Sequence, residues 1–524
     1  MKNQKSGSIM ADHTAASQPP PALGLEAVPI DRVGKNSLLP ASLSRSRSAQ
    51  AAAPPARATA SLTSAAFNLS NTIMGSGLLT LPSAFASAGL TIGLTMAVGA
   101  AFANVISLEA LTRASKLVPS FRTTPVTFHA VAEAALPGIG GAAIELGVAA
   151  YGIGVCIGYM IVATDSLVDV TGLTSRAPWT LLAALLVLPL TLLKSIDSLR
   201  FTSTLAILAL VSVTVAIIAF AVGGDGLGTC DGFSDGTVVC RHPGSPGSPG
   251  ATPTCHGQVV VGPRPLLPTL RALSKFVLAF SCQQNLLPIV NELQSPSPAR
   301  TFALNASAMS AALLVYLATA TAGYLTFGAS VCSNVLNTYP RTPAISSLRL
   351  LMAGVVLTSY PLLAFEAQQS LVGRVAAMRR WARRRRRAQP EAGAEAGDRD
   401  LDRRSGPEIW EITGDLGRRH PHGHRRWRLP TCFVDAPEQQ AVALAYVAFT
   451  TAIALGVSDL GIILGLVGAS GGMLISFIAP CLCFVRLSGG FRSGSWSWMR
   501  AGTLVILLVS VVLLPVCVTL ELRG

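Results

Sequence analysis

This sequence has little charge. Asp, Glu, Lys and Arg make up 13% of its 524 residues, against roughly 25% in soluble globular domains. A soluble fold needs a polar skin, so a single soluble domain is excluded. So is the string of three or four soluble domains that length alone suggests. The ten cysteines include no CxxC pair, which removes zinc ribbons and small disulfide scaffolds. Glycine and proline follow no period, which removes collagen. No HExxH, P-loop or Ser-His-Asp arrangement is present, so an enzyme is not expected.

What the chain has instead is long apolar runs. Half of it is hydrophobic and its mean hydropathy is +0.52. About 20 mainly apolar residues span a bilayer as a helix. Eleven such stretches predict an all-α integral membrane protein, at 62–89, 90–114, 138–168, 178–194, 199–222, 268–290, 302–326, 346–372, 439–457, 459–485 and 501–519. They lie in one domain, 61–522. The Ala-, Pro- and Ser-rich residues 1–60 read as a disordered cytoplasmic tail without a signal peptide. With the N-terminus in the cytoplasm, the inner segments carry 32 of the 40 Lys and Arg and the outer segments five. That is the positive-inside pattern, and it puts the C-terminus outside. The net charge of +14 is therefore assigned to a basic cytoplasmic loop, 373–437, touching anionic lipid, rather than to nucleic acid. The loop's His420, His422 and His424 read as part of a flexible basic segment. An outer loop covers 223–265.

Two spans are interrupted. The first reads Phe67-Asn68-Leu69-Ser70-Asn71-Thr72-Ile73-Met74-Gly75-Ser76-Gly77-Leu78-Leu79. The sixth reads Ala279-Phe280-Ser281-Cys282-Gln283-Gln284-Asn285-Leu286-Leu287-Pro288. Irregular backbone at membrane depth survives only where protein or a water-filled cavity satisfies it. Interruptions at matching places in two halves point to a secondary transporter with five-plus-five inverted repeats and discontinuous helices 1 and 6. Free N–H groups at such a break suit a carboxylate, and free carbonyls suit a hard cation.

The stretch from Phe67 resembles the first helix of the sodium-coupled neutral amino acid transporters (solute carrier family 38), in the amino acid/auxin permease group of the amino acid–polyamine–organocation superfamily. The resemblance recurs from Cys282 (CQQNLLPIVNEL), Gly323 (GYLTFG) and Gly465 (GLVGASGGMLISFIAPCLCFVRL). It implies a LeuT-like fold working by alternating access, with an amino acid as substrate and sodium or a proton as coupling ion. It places Gly75, Ser76, Gly77, Tyr159, Ser281, Cys282 and Gln283 at the substrate. It places Asn71, Met74, Thr358 and Ser359 at a sodium ion, with no other cofactor. Relatives have Cys-His where this chain has Cys282-Gln283, so a titrating group is missing there. Relatives also link two outer loops, which implies a disulfide from Cys332 to Cys230, Cys240 or Cys255. A monomer in the plasma membrane or a vacuolar or lysosomal membrane is expected.

Four acids lie in or near spans. Glu109, Glu145, Asp165 and Glu366 are expected to face the bundle or a vestibule, because an acid at mid-bilayer costs about 2.5–3.5 kcal/mol, with Glu109 and Glu366 near the inner span ends expected to snorkel to the cytoplasm. Asn68 and Asn305 head sequons inside spans, where glycosylation is not expected. A sensor using the same pocket is the competing reading, weakened by a tail with no amphipathic pattern.

Overall fold

The computed structural model describes residues 60–118, 126–172, 175–192, 200–223, 258–339, 342–388, 437–489 and 498–523. The tail, Cys230, Cys240, Cys255 and the three loop histidines lie outside these residues. Among the described residues the protein is helical, with one isolated β-bridge, Ala60 to Leu293.

The expected first span is two helices, α1 (Leu62–Ile73) and α2 (Gly77–Ala88). α3 (Leu90–Lys116), α4 (Phe128–Ala135), α5 (Ile139–Thr171), α6 (Ala177–Thr191) and α7 (Arg200–Gly223) follow. The expected sixth span is also two helices, α8 (Leu266–Ala279) and α9 (Gln283–Glu292). Then come α10 (Pro298–Phe327), α11 (Pro343–Ala388), α12 (Pro437–Gly456), α13 (Leu460–Val467), α14 (Ala479–Leu487) and α15 (Trp498–Leu522). Two π-helical turns, Gly468–Gly472 and Leu474–Ile478, join α13 to α14.

Eight helices among the described residues are long and apolar enough to cross a membrane. The other three of the eleven predicted spans are the two broken helices and the 15-residue α6, so helix length alone does not establish eleven crossings. A second difference lies in the basic segment. α11 continues to Ala388 instead of stopping near 372, so Arg383–Arg387 stand on a helix rather than in a loop. Ala and Arg are strong helix formers, and no breaker lies between Val372 and Ala388 except Gly373.

α5 is the central post. Its buried Gly152 and Gly158 let neighbours approach: a Cβ would stand 2.8 Å from Ala367 Cβ at the first and 2.7 Å from Leu464 Cδ2 at the second. Lipid supplies no hydrophobic force between helices, so small residues that permit close packing take its place. The opposite case is α15, whose Leu508 and Val512 are two-thirds exposed, as a lipid-facing surface should be.

The broken helices are tied in pairs. At one end Ala60 N–H donates to the Glu292 carbonyl (2.9 Å), and Gln294 N–H to the Ala60 carbonyl (3.0 Å), joining α1 to α9. At the other, Arg264 N–H donates to the Ala88 carbonyl (3.2 Å), joining the approach to α8 with the end of α2. Gly89, at φ 86°, makes the turn from α2 into α3, a conformation that costs other residues strain. Near the C-terminal end of α5 and the N-terminal end of α11, the fully buried Arg349 donates to the carbonyls of Leu336 (2.8 Å) and Tyr339 (2.9 Å). Arg176 pairs with Asp165. Burial pushes the Tyr339 phenol above its ordinary range.

Candidate functional site

Both breaks are real interruptions of the backbone. α1 ends at Ile73, and Met74 is extended (φ −74°, ψ 103°). α2 starts at Gly77, and no side chain caps it. α8 ends at Ala279, and α9 resumes after Cys282 (φ −149°, ψ 8°), again without a side-chain cap. The ends of α1 and α8 leave carbonyls, and the starts of α2 and α9 leave N–H groups, that helical bonding does not satisfy. The helix dipoles add partial negative and positive charge at the same places.

A cavity lies between the breaks, flanked by α5 and α11. It holds about 70 Å³, room for roughly five waters at about 10–15 Å³ each. That is the scale of the ammonium and carboxylate of a small amino acid. Gly77 sets the spacing: a Cβ there would stand 2.7 Å from Ala279 Cα on the facing helix. At Gly75 a Cβ would stand 3.1 Å from the Tyr159 hydroxyl, so that phenol lies directly over the first break. Among the described residues, no Asp, Glu, Lys, Arg or His lines the cavity.

Eight of the eleven residues predicted for substrate or ion line this cavity: Asn71, Met74, Gly75, Ser76, Gly77, Tyr159, Ser281 and Ser359. Three do not. The Thr358 hydroxyl turns back on its own helix, donating to the carbonyls of Gly354 (2.9 Å) and Val355 (3.0 Å). That is the ordinary fate of a threonine in a membrane helix. Cys282 is fully buried away from the cavity, and its N–H donates to Gln283 Oε1 (3.0 Å). Gln283 points toward α3, where its Nε2 donates to Asn104 Oδ1 (2.8 Å) and to the Ser476 carbonyl (3.1 Å). Ser476 sits in the second π-helical turn, where an altered bonding pattern frees a carbonyl. It also accepts from Ser107, and its hydroxyl meets Ser281 Oγ at 2.6 Å.

The polar lining residues that the sequence did not assign to the site are Thr72, Tyr151, Gln284 and Asn285. Gln284 is buried beside the cavity, and its Oε1 has no hydrogen-bond partner among the described residues. Tyr151 stands two helical turns before Tyr159, with Val155 between them, and all three line the cavity. The i, i+4, i+8 spacing was a signal for it.

The sequence pattern of the family described as transmembrane amino acid transporter protein matches residues 58–520. The chain belongs to that family. It is 27% identical over 452 residues to vacuolar amino acid transporter 6 of Saccharomyces cerevisiae, covering 82% of this chain and 91% of that one. It is 28% identical over 309 residues to vacuolar amino acid transporter 5 of Schizosaccharomyces pombe, covering 57% of this chain and 66% of the relative. It is 25% identical over 457 residues to sodium-coupled neutral amino acid transporter 7 of Danio rerio, covering 83% and 82%. Among solved structures, a sodium-coupled sialic acid symporter aligns with a TM-score of 0.47 at 12% identity, covering 86% of this chain and 89% of that one. MhsT in complex with L-phenylalanine aligns with a TM-score of 0.46 at 12% identity, covering 87% and 98%. As a family member, this amino acid transporter is a multi-pass membrane protein with its two helix breaks facing one cavity.

Proposed function

We propose that this transporter carries neutral amino acids by alternating access, with sodium entering alongside, through eleven crossings arranged as five-plus-five inverted repeats and a final helix. The observation that carries the reading is a cavity between two helix breaks whose wall, among the described residues, holds no Asp, Glu, Lys, Arg or His. Backbone N–H groups at Ser76 and Gly77 suit the substrate carboxylate. Free carbonyls suit the ammonium. A charged substrate side chain would find no counter-charge, and burying one unpaired is costly. Asn71, Met74 and Ser359 offer oxygens of the kind a hard cation binds. One sodium ion moving down 100 mV supplies about 2.3 kcal/mol. The monomeric carrier would sit with its N-terminus cytoplasmic and Cys332 bridged to one of the outer-loop cysteines.

The test is uptake of a panel of amino acids into proteoliposomes holding the purified protein, with sodium or choline outside. Sodium-dependent uptake of neutral amino acids is expected. Equal uptake in choline removes sodium from the reading. A second reading, a proton-coupled carrier of a vacuolar or lysosomal membrane, is favoured by the vacuolar relatives and by the orientation of Thr358. Uptake stimulated by an inward proton gradient in choline decides for it.

A further inference from the structure

We propose that Tyr316 is a positioning residue that pins the two helix breaks to each other. It stands mid-way along α10 and is fully buried. Its hydroxyl lies 2.7 Å from the Ile73 carbonyl and 2.9 Å from the Ala279 carbonyl. Those are the last residues of α1 and α8, the two half-helices that run into the breaks. One side chain from a third helix therefore reaches the same feature in both discontinuous spans.

The chemistry gives the contact its meaning. The terminal carbonyls of a helix have no intrahelical partner, and at membrane depth an unsatisfied carbonyl must be met by protein or water. A tyrosine hydroxyl carries a single proton, so it serves one of the two carbonyls at a time. The other stays available to a cation entering the cavity. The hydroxyl thus fixes the separation of the breaks while leaving one acceptor open. Packing holds the ring in place, since Phe280, inside the second break, meets it edge-on at 5.2 Å and 70°. The packing beside it is equally close, because a Cβ on Gly77 would stand 3.5 Å from the same hydroxyl. The end-to-end ties of α1 with α9 and of α2 with α8 join the broken helices at their far ends. Tyr316 joins them in the middle, where ligand would bind.

The effect on uptake rests on the transport reading; the effect on the backbone does not. Tyr316→Phe keeps the ring and removes the pin. Tyr324→Phe is the control: it removes a fully buried hydroxyl from the same helix, one bonded to Val260 and not to either break. Uptake is measured in proteoliposomes, normalised to protein incorporated. In parallel, the alkylation rate of Cys282 by N-ethylmaleimide is read by mass spectrometry of its peptide, with no substrate present. Tyr316→Phe is expected to raise the substrate KM about tenfold and to speed Cys282 labelling several-fold. Tyr324→Phe is expected to leave both within a factor of about two. A general loss of folding would reduce the amount of carrier but not shift KM. If Tyr316→Phe does not reach the membrane, Phe280→Leu frees the ring and is expected to move both readouts in the same direction by a smaller factor. Wild-type protein that moves no amino acid, yet shows the labelling difference, sinks the transport reading and keeps the pin. Unchanged KM and unchanged labelling in Tyr316→Phe overturn the pin, as does an equal shift in both tyrosine variants.

Discussion

The two breaks look alike as backbone and differ as chemistry. The first, Met74-Gly75-Ser76, runs from Ile73 to Gly77 and faces the cavity along its whole length. The second, Phe280-Ser281-Cys282, is fastened by side chains. Ser281 meets Ser476, and Gln283 reaches both Asn104 and the Ser476 carbonyl while accepting from the Cys282 N–H. One interruption is an open stretch of main chain; the other is bolted to α3 and the π-helical turn. A site that must both bind and move needs a fixed reference as well as an adaptable wall, and the molecule divides those roles between its two halves. The first break should therefore fail by crowding and the second by loss of its bolts.

Crowding gives the largest expected effect. Gly77→Val places branched carbon where even a Cβ stands 2.7 Å from Ala279 Cα. The clash is with a helix backbone and has no flexible side chain to absorb it. Overpacking of this kind costs about 1–3 kcal/mol or more, so uptake normalised to protein is expected to fall about 100-fold. Gly75→Ala meets only the tip of the Tyr159 side chain, at 3.1 Å, and is expected to lower uptake no more than about fivefold. Initial-rate uptake of the two variants side by side checks the ranking. Equal losses would mean that the first break is not limited by space at Gly77.

The location of both breaks was legible in the sequence: glycines alone also serve close packing, as in α5, but Gly-x-Gly in one span matched by a polar run before a Pro in the other marks backbone that lipid cannot satisfy. Their phase was not. Each residue advances a helix by 100°, so once the chain leaves a break the sequence does not say which side chain faces the cavity. Gln283 and Gln284 are adjacent and chemically identical, yet one is a bolt and the other lines the wall. Thr358 and Ser359 are separated the same way. The π-helical turns were hidden for a related reason. Gly468-Ala469-Ser470-Gly471-Gly472 is readable as small and permissive, but an i→i+5 pattern is set by packing. Tyr316 carried no local signal at all, since its two partners are 243 and 37 residues away in sequence.

A middle-sized effect tests the bolt. Gln283, Asn104, Ser107, Ser281 and Ser476 form the network, and none of them titrates in the physiological range. Gln283→His, the residue type that the family resemblance implies at this place, installs one that does. Neutral imidazole offers one donor and one acceptor, enough to keep a bond to Asn104 and accept from Cys282 N–H. Protonation removes the acceptor and adds a charge to a buried network. Uptake by Gln283→His is therefore expected to fall about tenfold, relative to wild type at each pH, between pH 7.5 and 5.5, within the range where histidine titrates. A flat ratio across that window would release Gln283 from the role assigned here.

The smallest effect separates two neighbours on α11. Ser359 lines the same cavity as Asn71 and Met74, whereas the Thr358 hydroxyl is spent on Gly354 and Val355. If the coupling ion rests against the open break, losing the Ser359 oxygen removes one neutral ligand from it. Ser359→Ala is then expected to raise the sodium concentration for half-maximal uptake by about five- to tenfold, the loss of one hydrogen-bond-scale interaction. Thr358→Ala removes a bond that a membrane helix tolerates losing and is expected to shift that concentration less than about twofold. Sodium titration of uptake in the two variants reads the contrast directly. A larger shift for Thr358→Ala would mean that this hydroxyl turns toward the cavity during transport, and the ion would then belong to a state of the break other than the one seen here.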